Sequence, residues 1–148
     1  MPVTEQRIPV IYFVLIIAAG ILIWSFYQEL RPHYEVGKLE YRMVTGVRSN
    51  ALEIIMVETE KQFTVIDSDF KEIFEYNDAE VVSRPEQLNL LQAYKDLQYR
   101  VSIHEYPRNE KAEYRLSRDN FNKLKFNTSI KFEIDRKVRD SISSIVEM

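Results

Sequence analysis

The two histidines, His33 and His104, are the first residues to test for chemistry, because imidazole serves both as a metal ligand and as a general base. Neither stands at the HxxxH or HExxH spacing that sets two ligands on one helical face, so a metal site would have to draw on distant carboxylates. Both read as surface histidines. Asp67, Asp69 and Glu72 bring three carboxylates close together, a donor set that hard cations favour. An EF-hand loop needs a longer ligand series and a glycine, and helix capping accounts for the same three residues. Ser141, Ser143 and Ser144 have no GxSxG turn or SxxK pair beside them, and a chain with two histidines offers a nucleophile few bases. The three glycines, Gly20, Gly37 and Gly46, are too scattered to cradle a phosphate. With no cysteine, disulfides, thiolate metal sites and thiol nucleophiles are excluded. The expectation is a chain with no catalytic residues, no metal, no cofactor and no small-molecule substrate.

Charge is more informative. The net charge of −3 argues against a nucleic-acid partner. Ten acidic and three basic residues lie between Glu53 and Glu86, whereas eight basic and five acidic residues lie between Tyr94 and Phe126. In that basic third, cations alternate with rings, the composition that holds single-stranded nucleic acid. The intervening acids would repel phosphates, and packing of Tyr99 and Tyr114 in a core explains the rings without a ligand. A polarised surface also suits docking to a protein or orientation over anionic lipid. The expected contact surface is the hairpin carrying Tyr99, Arg100, His104, Tyr106 and Arg108.

The elements that must position these residues follow from periodicity. Leu39 to Val47 alternates apolar and polar residues, Ser49-Asn50 supplies a turn, and Ala51 to Glu58 reads as the returning strand. A turn over Thr59-Glu60-Lys61 leads to a third strand, Gln62 to Ile66. Asp69 and Glu72 fit a capping box opening a short helix to about Tyr76. Ser83, Pro85 and Glu86 start another helix, with Leu88, Leu91 and Tyr94 on its apolar face. Leu97 to Tyr106 and Ala112 to Leu116 form a second hairpin around Pro107-Arg108-Asn109-Glu110. Ser129–Asp135 reads as a strand. Val138–Val146 fits helix or strand, because its apolar residues recur every four positions in a β-prone composition. The fold class is α+β: a mainly antiparallel sheet of five or six strands that can curl into a small open barrel, with two or three short helices.

One segment stands apart. From Ile8 to Tyr27 twenty consecutive residues carry no charge. As a helix they cover about 30 Å, the thickness of a bilayer's hydrocarbon core. Tyr12 near one end and Trp24 and Tyr27 near the other suit the headgroup boundary. The run exceeds a signal-peptide core, and no small-x-small site follows Trp24, so a retained anchor is expected. The chain then divides into a tail (1–7), a transmembrane helix (8–28), a juxtamembrane connection (29–38) and a soluble domain (39–148). Arg31, Lys38, Arg42 and Arg48 after the helix, against Arg7 before it, incline the domain to the cytoplasm; Arg7 and Arg31, nearest the lipid, balance one another and leave the periplasmic or extracellular side nearly as well served.

These features imply a single-pass protein of the cell (inner) membrane, with the lipid bilayer and another membrane-associated protein as partners and binding as its work, in an accessory subunit of a complex. The alternative from another class is a membrane-active or toxin-neutralising protein, such as a phage lysis regulator or an immunity protein.

Overall fold

The computed structural model describes residues 10–75 and 80–147. The chain divides into two units, 1–32 and 33–148. Within the first, helix α1 runs Val10–Leu30, and every residue from end to end is exposed. It is long and apolar enough to cross a membrane, by a length and composition that a signal sequence shares. Trp24 and Tyr27 stack with ring centroids 6.5 Å apart, and the Arg31 guanidinium lies 4.9 Å above the Tyr27 ring. Ile8, expected at the start of the span, lies outside the described residues.

The second unit is the α+β domain. Its strands are β1 (His33–Arg48), β2 (Ala51–Thr59), β3 (Phe63–Val65), β4 (Lys95–Tyr106), β5 (Glu110–Leu116), β6 (Ser129–Ile134) and β7 (Ile142–Glu147). Short helices α2 (Lys71–Glu75), α3 (Arg84–Ala93) and α4 (Arg118–Lys123) interrupt them. β1 starts at His33, so the stretch 33–38, expected as a connection, is strand, and only Arg31 and Pro32 separate α1 from the sheet. Of the segment 138–146 the part from Ile142 is strand, with Phe132 paired to Ile145 and Lys131 to Val146, and 138–141 is the turn before it. An Asp135 side chain that accepts from the Lys137 and Val138 N–H groups turns the chain between β6 and β7 and cuts the four-residue periodicity short.

β1 is the spine. One edge pairs along most of its length with β4; the other pairs first with β6 (His33 to Lys38) and then with β2 (Tyr41 to Arg48). The change of partner falls where the register with β4 slips between Leu39 and Tyr41, a bulge that bends the strand. β5 extends the sheet beyond β4 and β7 beyond β6, all antiparallel. A parallel bridge joins Arg115 of β5 to Ser141, the residue before β7, and is reinforced by the Arg115–Asp140 ion pair at 2.9 Å. The sheet is thus open and mainly antiparallel.

Ser49 (φ 53°) and Asn50 (φ 60°) both take left-handed backbone, making the two-residue turn whose twist matches the flanking strands. Gly37 is required where β1 meets β4, since a Cβ there would lie 2.5 Å from the His104 carbonyl oxygen. The core fills one face of the sheet. Val44, Met56, Val101, Ile103 and Phe132 are fully buried against Leu90 of α3 and Phe121 of α4, each such side chain contributing about 1.5–3 kcal/mol. Tyr99 packs on Phe121 (5.3 Å) and Tyr114 edge-on against Phe132 (5.3 Å). Ser83 and Glu86 form the expected capping box of α3. Its buried face, however, is Glu86 and Leu90; Leu88 and Leu91 face solvent, because the helix lies on the sheet along the 86–90 row and continues into buried Tyr94. The expected Asp69 cap is also displaced. Asp67 is the cap, accepting from the Asp69 N–H, and a 3₁₀ turn (Ser68–Phe70) precedes α2.

Candidate binding surface

The second face of the sheet is not covered by α3 or α4, whose buried residues lie on the core side. It has a polar half on β4 and β5 and an apolar half on β1 and β2.

The polar half holds most of the residues expected to make contacts. Arg100 reaches Glu113 (3.0 Å), whose other oxygen accepts from the Tyr41 hydroxyl. Glu40, in the β1 bulge, takes the Lys111 ammonium at 2.9 Å and lies 3.7 Å from His104 Nδ1. His104 Nε2 donates to the Asn109 amide carbonyl (2.6 Å), and its ring stands 5.7 Å from Tyr106. Tyr106 and Arg108 are exposed at the hairpin end. Here Arg100 is answered by Glu113 and Lys111 by Glu40 within the domain. Such exposed pairs each contribute roughly 0–1 kcal/mol.

Tyr99 is a correction. It is 5% exposed and points into the core with Val101 and Ile103, so it cannot belong to a contact surface. Burial, opposed by Gln87 and Arg118 beside it, pushes its hydroxyl up to about 12. Alternation along β4 dictates this: Arg100, Ser102, His104 and Tyr106 occupy one face and Tyr99 the other.

The apolar half was not anticipated. Leu52 (61% exposed), Ile54 (43%) and Ile66 (55%) line a groove of about 620 Å³ with Arg48, Glu53, Asp67 and Ser68. Its cause is a second register shift. Between Val44 and Thr45 one residue of β2 is left over, Ile55, so Ile55 and Met56 both turn inward while Leu52 and Ile54 turn out. The run Ile54-Ile55-Met56-Val57 was the available signal, since four apolar residues in succession break a strand's alternation.

The groove's floor is held by a polar knot. Arg48 bridges Glu53 (2.8 Å) and Asp67 (3.0 Å) and lies 4.8 Å above the Tyr94 ring. The Tyr94 hydroxyl donates to Asp67 and, at 3.4 Å, to Glu53. Burial pushes the Asp67 carboxyl up, but the Tyr94 hydroxyl, the Asp69 N–H and Arg48 outweigh it and hold the group below its ordinary range. Burial and the Asp67 charge push the Tyr94 hydroxyl far up. Gly46 makes room for that ring, since a Cβ there would stand 2.7 Å from Tyr94 Cβ and 2.9 Å from its Cγ.

Among the described residues no three His, Asp or Glu side chains converge as metal ligands would. Comparison with protein-family models, with curated proteins and with solved structures finds no match to this chain.

Proposed function

We propose that this chain is a single-pass membrane-anchored binding protein, an accessory subunit that presents its α+β domain to another membrane-associated protein and performs no catalysis of its own. The observation that carries the reading is a 21-residue apolar helix with none of its residues buried, followed after two residues by a well-packed sheet domain. A helix of that composition needs an apolar surrounding, and a bilayer supplies one. With so short a connection the domain works close to the membrane, on the cytoplasmic side to which the flanking basic residues incline it. The exposed apolar groove supports docking as the work done.

Alkaline carbonate extraction of membranes from cells making the full chain tests the anchor. The chain is expected to stay in the membrane pellet with its N-terminal residues intact. Release of a shorter soluble species cut after Trp24 would mean a signal sequence and overturn the reading.

A further inference from the structure

Resting on that binding reading, we infer that the docking site is the Leu52–Ile54–Ile66 groove and that its occupant is a basic, apolar segment of a different protein. Three aliphatic side chains, each 43% or more exposed, converge on one groove at the β1–β2 hairpin. Such a cluster, held on a rigid base, has the make-up of an interface centre. The base is rigid here, since Arg48, Asp67, Glu53 and Tyr94 are mutually bonded beneath it.

Charge selects the occupant. Of the groove's own lining, two carboxylates, Glu53 and Asp67, share one guanidinium, Arg48, and the sequence from Arg48 to Glu75 carries seven acidic and three basic residues. An anionic lipid surface would meet like charge there, which disfavours the bilayer as the covering surface. A two-fold pairing of this face with a second copy would bring two acidic rims together and is disfavoured for the same reason. A segment with lysine or arginine flanking leucine-like residues satisfies both the groove and its rim.

The test places a photo-crosslinking residue at Leu52, at Ile54 and at Arg108, one at a time, in the full chain in native membranes, and sequences the captured peptides. Positions 52 and 54 are expected to capture one protein through a peptide of net positive charge rich in aliphatic residues. Ile66→Asp in the same background is expected to lower that capture about tenfold, with the thermal midpoint unchanged because the side chain is exposed. Capture of lipid, of this chain's own peptides, or of an acidic segment at 52 and 54 overturns the inference. Capture at Arg108 alone overturns it and leaves the binding reading standing; no capture at any position sinks both.

Discussion

Arg42 is the residue on which the packing of the domain can be tested most sharply. It sits at the middle of β1 with its side chain 7% exposed, a guanidinium placed inside the core. Its Nε donates to Glu58 at 2.5 Å, and Nη1 donates to the carbonyls of Phe121 (3.1 Å) and Leu124 (3.0 Å) at the end of α4. The plane also lies over Phe121 (5.4 Å) and Phe126 (5.6 Å). One side chain thus ties β1 to β2 and caps a helix of six residues that is too short to stand alone. In Arg42→Met the apolar stem is kept while Glu58 and two helix-end carbonyls lose their donor. Breaking a buried pair costs about 3–5 kcal/mol, and the 20% exposure of Glu58 places this case at the lower end, about 3 kcal/mol. At ~2.1 cal/mol/K per residue, the unfolding entropy of the 33–148 unit is ~0.24 kcal/mol/K, so the midpoint should fall by about 12 °C. Circular dichroism melting of the detergent-solubilised full chain reads this directly. Adding Glu58→Gln should recover part of the loss by removing the stranded charge, whereas the carbonyl share persists. A fall below about 3 °C for Arg42→Met, or no recovery in the double variant, would refute the account.

Two further outcomes follow from the knot beneath the groove. Gly46→Ala drives a methyl into the Tyr94 ring and is expected to cost about 1–3 kcal/mol, seen as a lower melting midpoint and a loss of near-ultraviolet tyrosine dichroism. Asp67 is held below its ordinary value of 3.8, so its contribution to stability is full above that value and is lost as pH falls through the lower folded value. The melting midpoint of the wild type should therefore drop more steeply below pH ~4 than that of Asp67→Asn, as acid titration of the melt will show.

Much of the sheet was legible because its physics is local. Tyr99, Val101 and Ile103, then Tyr114 and Leu116, alternate as strands with one buried face must, and Ser83 with Glu86 announces a helix start by a reciprocal cap. What escaped depends on residues far apart. The buried row of α3 is chosen by the sheet beneath it, so Leu88 and Leu91 could not reveal from spacing alone that they face water. α4 escaped because six residues, fewer than two turns, repeat no apolar face and offer only Ser117 as a cap. The contact surface was drawn around rings and cations, which placed Tyr99 outside when strand alternation sends it inward. The groove hinges on one extra residue in β2, a shift of phase that only its pairing with β1 makes visible.

The divided edge of β1 also has a consequence in time. As the chain leaves the ribosome, the half from Tyr41 to Arg48 meets its partner β2 almost at once, through a two-residue turn. The half from His33 to Lys38 must wait for β6, whose residues begin at Ser129, more than ninety positions later. At ~5–20 residues per second that edge stays open for about 5–20 s, beside the apolar helix already made. Its composition answers the danger: Glu35 and Lys38 put charges of both signs along the waiting strand, which discourages pairing with a neighbouring chain before its own β6 arrives.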